Sequence, residues 1–93
     1  MPFASIAHEY TKANVEAMRP NQIGCYGLFI GDLCVYIGRG DIRARLLGHL
    51  AGDNSRITRE RPAHWMDVVT IDDLAEEKRL ITSHLPTCNR RTG

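Results

Sequence analysis

Five polar side chains stand where they could act together on one substrate: Glu77, Arg45, His49, Tyr26 and Tyr36. At about 100 degrees per residue on a helix, Glu77 falls between Leu74 and Ile81 on one flank and Leu80 on the other, while Glu76 projects away. An ionised carboxylate in the middle of an apolar face costs several kcal/mol unless it meets a metal ion, an arginine or hydroxyl donors. A buried Glu77–Arg45 ion pair would satisfy it without any function. Arg45 and His49 are four residues apart and so share one helix face, although a helical histidine commonly does no more than make one hydrogen bond. Tyr26 and Tyr36 occupy strand-like segments, where tyrosine is an ordinary packing residue. Together these groups are complementary parts of phosphodiester hydrolysis. A cation or guanidinium meets the charge growing on the phosphate, and an imidazole or phenol takes a proton from water.

The elements that must position them can be read from pattern and punctuation. Residues 24–38 read as two strands around Gly31 and Asp32, rich in aromatic and β-branched residues. A two-residue loop of Gly31 and Asp32 would pair Tyr26 with Ile37 and send the two phenols to opposite faces. A three-residue loop, Ile30 to Asp32, pairs Phe29 with Leu33 and Tyr26 with Tyr36. The second register is favoured because it gathers Phe29, Leu33, Val35 and Ile37 on one apolar face and sets both phenols on the other. After a glycine-rich turn at Gly38 to Asp41, Asp41 can cap a helix from Ile42 to about Ala51, ended by Gly52. Ile42, Leu46 and Leu50 make its buried stripe, and Gly48 weakens it by roughly 1 kcal/mol relative to alanine.

Residues 53–62 read as a polar, basic crossover, and Trp65 to Ile71 as a third strand. Asp72 can cap a final helix from Asp73 to about His84, before Pro86. At the N-terminus, Ile6, Tyr10, Ala13 or Asn14, and Ala17 recur at helical spacing, so residues 5–18 are expected to be helical and residues 1–22 to form an N-terminal extension. The expected class is α+β, a small three-stranded antiparallel sheet flanked by helices.

Ninety-three residues make one thin-cored domain, and 43% hydrophobic with 25% charged residues argues against a wholly disordered chain. No apolar run is long enough to cross a bilayer, and the first residues lack the basic-then-apolar pattern of a secretory signal, so no membrane partner and a cytoplasmic location are expected. Cys25, Cys34 and Cys88 cannot all pair within one chain and are expected as packed free thiols. Net charge is only +1, but from Arg39 to Arg61 six arginines (Arg39, Arg43, Arg45, Arg56, Arg59, Arg61) face three acids. That local excess could meet phosphates, and arginine is the better phosphate fork.

With these residues in view, the sequence resembles the GIY-YIG nuclease family. Its first signature appears as Gly24-Cys25-Tyr26, with cysteine where isoleucine or valine is usual, and its second as Tyr36-Ile37-Gly38. The family's helix arginine matches Arg45, nine residues after Tyr36 where ten is common, and the histidine of several branches matches His49. The metal-binding glutamate and terminal asparagine match Glu77-Lys78-Arg79-Leu80-Ile81, with Pro86 nine and Asn89 twelve residues after the glutamate. The resemblance covers residues 24–89 and implies a nuclease-like domain over residues 23–93.

The resemblance further implies Mg²⁺ or Mn²⁺ held by Glu77, waters and a phosphate oxygen, with Arg45 stabilising the transition state. Tyr26 would be the base that activates water, with His49 as the alternative base or relay, since a phenol of ordinary pKa near 10 is a poor base at neutral pH. Tyr36 would orient water or phosphate, and Gly38 and Asn89 would support the site. Arg39, Arg43, Arg56, Arg59 and Arg61 are expected on DNA. The implied activity is a metal-dependent DNA endonuclease leaving 5′-phosphate and 3′-hydroxyl ends. No helix-turn-helix or zinc finger is visible to read sequence, so a targeting protein or a second copy of the chain is a further expected partner. The competing readings are a nucleic-acid-binding module without turnover and a structural or partner-binding protein.

Overall fold

The computed structural model describes residues 6–88. Eight elements follow in order: β1 (His8–Glu9), α1 (Lys12–Glu16), β2 (Ile23–Ile30), β3 (Leu33–Asp41), α2 (Ile42–Leu50), α3 (Ser55–Glu60), β4 (His64–Val69) and α4 (Asp73–His84). The sheet is antiparallel throughout with strand order β1-β4-β2-β3, so the three expected strands are joined by a short fourth at one edge. Side chains alternate across β2, and each face carries its own core. Tyr26 and Leu28 pack with Val15 of α1, Ile42 and Leu46 of α2 and Ile57 of α3. Cys25 and Phe29 on the opposite face pack with Cys34, Ile37 and Leu80 of α4.

The helix expected over residues 5–18 is replaced by β1 and the shorter α1. His8 pairs with Trp65 of β4 and stacks on its indole at 4.8 Å, and Thr11 then caps α1 by accepting the Asn14 amide. Pairing with a sheet edge is a tertiary gain that a local periodicity does not register. The segment is also tied into the core, because the buried Tyr10 hydroxyl donates to the Leu46 carbonyl at 2.7 Å and Val15 is fully buried.

The hairpin corrects the favoured register. Its loop is the two-residue turn of Gly31 and Asp32, with Ile30 opposite Leu33 and Gly31 in the left-handed region at φ 57°. A bulge then inserts Val35, so that Leu28 lies opposite Tyr36, Gly27 opposite Ile37 and Tyr26 opposite Gly38. One extra residue reverses the inside-outside alternation beyond it. Val35 joins the Tyr26 side of the sheet while Leu33 is half exposed, so the apolar face expected from Phe29, Leu33, Val35 and Ile37 does not exist as such. The bulge nevertheless leaves both phenols on one face, by a route other than direct pairing.

Other boundaries differ for local reasons. The crossover over residues 53–62 contains α3, capped by the Asn54 side chain accepting from Arg56 and Ile57 amides, and held by one buried residue, Ile57. In α2 the Asp41 side chain accepts the Ala44 amide, but Leu50 is 40% exposed and the buried stripe is Ile42, Leu46 and His49. Asp72 makes no side-chain cap, Leu74 is half exposed, and Glu76 is half-buried and ion-paired with Arg79 rather than projecting freely. All three cysteines are free thiols. Burial pushes the Cys25 and Cys34 thiols up to about 12, so they behave as packing groups rather than nucleophiles. Cys25 also donates to the Asp73 carbonyl at 3.2 Å, tying β2 to the start of α4.

Candidate active site

Two glycines of the signatures are needed for close approach. A methyl group on Gly24 would lie 2.0 Å from the Val68 carbonyl oxygen, so Gly24 lets β2 and β4 pack. One on Gly38 would lie 2.3 Å from the Tyr26 hydroxyl, so the absent side chain at Gly38 is the floor on which the Tyr26 ring rests. The two strands thereby present Tyr26 and Tyr36 with ring centroids 6.1 Å apart.

A cleft of about 280 Å³ opens over these rings, lined by Tyr26, Tyr36, Arg39, Arg45, His49 and Glu77. Four elements meet there: β2 and β3 supply the phenols, α2 supplies Arg45 and His49, and α4 supplies Glu77. Because β3 is the outer strand, a carboxylate from the α4 side and an imidazole from the α2 side can share one cleft. The five residues first singled out from the sequence all line it.

The contacts are specific. Tyr26 Oη lies 2.6 Å from His49 Nε2, and His49 Nδ1 lies 2.8 Å from Asp53 Oδ1. The Tyr36 ring meets the imidazole edge-on at 5.2 Å, leaving His49 8% exposed. Arg39 bridges two carboxylates of α4, with Nη1 3.4 Å from Asp73 Oδ2 and Nε 3.5 Å from Glu77 Oε1. Arg39 is thus an ion-pair partner of Glu77, where packing alone offered Arg45, which lines the same cleft. The Arg45 guanidinium lies along Gly40, whose φ of 116° and missing side chain leave it room.

Expected nucleic-acid contacts divide. Arg39 is a wall of the cleft itself. Arg43 is half-buried and turned toward α1, where Nη2 donates to the Glu16 carbonyl at 3.5 Å and Nε is buried without a hydrogen-bond partner. Arg56 and Arg59 are exposed on α3, and Arg61, at φ 52° just past α3, lines a separate cavity that also touches His49. Asn89 lies outside the described residues. Two neighbours of the site escaped the sequence reading: Arg39 as the partner of Glu77, and Asp53 as the partner of His49. Asp53 follows His49 by four residues, a spacing that signalled contact; Arg39 showed no such signal.

Burial, first of all, pushes the phenols of Tyr26 and Tyr36 above the ordinary value of 10.0, and the like charge each would place beside Tyr36 and Glu77 respectively adds to it. Tyr10 is raised by burial too, so all three tyrosines of the chain favour the neutral phenol when folded. Their contribution to stability is fully present below pH 10.0 and is lost as pH rises above it, because the unfolded chain ionises first. Stability is therefore expected to be insensitive to these groups up to about pH 10 and to fall beyond it, with phenolate absorbance appearing together with unfolding. Phenolate absorbance rising near pH 10 in a chain that remains folded by circular dichroism would contradict these environments.

Among the described residues no group of three or more histidines, cysteines, aspartates or glutamates is arranged to hold a metal ion. The donor chemistry is instead that of one hard carboxylate, Glu77, 22% exposed at the cleft beside two phenol oxygens. Such a set fits a magnesium-like ion that keeps most of its water and completes its shell with phosphate, not a cage for zinc.

No family model matches the chain, and no curated protein sequence matches it. Solved structures do. The crystal structure of the GIY-YIG N-terminal endonuclease domain of UvrC from Thermotoga maritima bound to magnesium has a TM-score of 0.74 at 20% sequence identity, over 85% of this chain and 96% of that one. Two point mutants of the same domain, each bound to its catalytic divalent cation, give a TM-score of 0.74 at 20% and 21% identity. This chain therefore has the α+β fold of a GIY-YIG endonuclease domain.

Proposed function

We propose that this chain, built on that fold, is a metal-dependent DNA endonuclease that hydrolyses phosphodiester bonds to 5′-phosphate and 3′-hydroxyl ends. The observation that carries the reading is the 2.6 Å contact of Tyr26 with His49 inside a cleft whose other walls include Arg45 and Glu77. A buried, neutral phenol is a poor base alone, but one that passes its own proton to an imidazole as it receives another is a competent relay. The attacking water loses a proton to Tyr26 Oη, and the Tyr26 proton moves to His49 Nε2. The water oxygen bonds to phosphorus, the bond to the 3′ oxygen breaks, and that oxygen is protonated from solvent. Arg45 donates to the phosphate oxygens as charge grows on them, and the Tyr36 hydroxyl orients the water or phosphate. Mg²⁺ or Mn²⁺ held by Glu77 and waters would supply further neutralisation of the phosphate. Arg39 fixes the Glu77 carboxylate before substrate arrives. DNA cut in the presence of Mg²⁺ should reseal with ligase without prior phosphorylation; ends that require a kinase would overturn the assigned products.

Arg56, Arg59 and Arg61 are assigned to the DNA backbone. Each phosphate contact releases a counterion, so replacing Arg56 and Arg59 by alanine should flatten the slope of log affinity against log salt by about 0.9 for each phosphate no longer neutralised. An unchanged slope would remove α3 from the DNA path. No helix of the described residues is long and apolar enough to cross a membrane. The free thiols favour a reducing, cytoplasmic setting. A targeting protein or a second copy is the proposed source of specificity. One observation favours a second reading, a DNA-binding module without turnover: Arg39 already pairs with Glu77, and a metal ion must compete with it. In that case DNA binding persists and no metal supports cutting.

A further inference from the structure

We infer that Asp53 is a positioning residue that holds His49 in the one tautomer able to accept the Tyr26 proton, an inference that rests on reading Tyr26 and His49 as a relay. An ionised carboxylate can only accept hydrogen bonds, so the 2.8 Å contact requires the proton of neutral His49 to sit on Nδ1 and be donated to Asp53 Oδ1. Nε2 is then bare and faces the Tyr26 hydroxyl at 2.6 Å, which must donate to it. The phenol oxygen keeps its lone pairs for the proton of water. With the opposite tautomer Nε2–H would donate to Tyr26 and the relay would run backwards.

The backbone is arranged for this contact. Gly52, at φ 92°, turns the chain after α2, and the Asp53 amide donates back to the Gly48 carbonyl at 3.2 Å. A methyl group on Gly48 would lie 2.8 Å from Asp53 Oδ2, so the helix-weakening glycine clears the place where the carboxylate folds over α2. The other groups facing His49 cannot substitute. Arg45 lies one turn earlier on α2, Tyr26 and Tyr36 lie on the sheet, and Glu77 and Arg39 lie across the cleft. Tyr10 and Arg61 border its outer side. The acceptor at Nδ1 is Asp53.

The test combines nitrogen NMR of the His49 ring with cleavage kinetics on wild type, Asp53→Ala and Gly48→Ala. In wild type at a pH where His49 is neutral, the proton should be on Nδ1; in Asp53→Ala the Nε2–H form should become populated. The turnover number of Asp53→Ala should fall about 10- to 100-fold with little change in KM, because Asp53 is half exposed and does not line the phosphate cleft. Gly48→Ala should be more stable to heat, as a better helix former, yet cleave more slowly because the carboxylate is displaced. A purely structural role would make stability and activity move together. Wild type with its proton on Nε2, or Asp53→Ala with the wild-type tautomer and turnover, would overturn the assignment. If wild type cuts no DNA, the nuclease reading fails and the tautomer alone still decides the role of Asp53.

Discussion

Tyr26→Phe is expected to lower the cleavage rate by about 10² to 10⁴-fold while leaving affinity for DNA nearly unchanged. The substitution removes one oxygen. The phenyl ring still rests on Gly38 and still fills the core, where Tyr26 is 1% exposed, so the fold should hold. The hydroxyl that meets His49 Nε2 disappears, and with it the path by which the water proton reaches the imidazole. Leaving Nε2 buried without that partner costs roughly 1–3 kcal/mol, offset in part because a polar hydroxyl no longer has to be taken out of water. The check is a single-turnover rate beside a binding isotherm on uncleaved DNA. A mutant that cuts within a few fold of wild type would move the base role to His49 acting directly on water.

Glu77→Ala is expected to abolish metal-dependent cutting, by about 10³-fold or more, from loss of the ion that neutralises the phosphate. Its effect on folding should be small or favourable. Glu77 is one of two carboxylates that Arg39 bridges, and the pair is partly exposed, so the surviving contact to Asp73 keeps the guanidinium partnered. DNA binding should persist or tighten, since a negative charge leaves the cleft while Arg39 stays held at its wall by Asp73. Retention of Mg²⁺-dependent cutting in Glu77→Ala would place the metal elsewhere. Loss of DNA binding together with cutting would show that the carboxylate supports the fold rather than the chemistry.

How far the sequence revealed this molecule depended on whether each signal was local. The helices α2 and α4 were legible because their apolar spacing and ends are written in adjacent residues, such as Asp41 capping and Gly52 terminating α2. The helical residues of the cleft were legible for the same reason: Arg45 and His49 are four apart, and Glu77 sits beside Leu80 on a helix. What was not legible depends on contacts between distant segments. The bulge at Val35 changes the hairpin register without any special residue to announce it, and β1 exists because Trp65 offers His8 a surface on which to stack. Helix α3 rests on a single buried side chain, Ile57, too little to register as a period. Arginines were legible as charge but not as geometry. Arg39 and Arg43 read alike, yet one reaches Glu77 and the other turns to α1.

Metal-dependent phosphodiester hydrolysis is best tested by incubating purified wild-type protein with supercoiled plasmid and branched DNA in Mg²⁺, in Mn²⁺ and in chelator. Strand breaks are expected with either ion and none in chelator. Folded protein that binds these DNAs but leaves them intact under all three conditions would contradict the nuclease reading and make the binding module the better one.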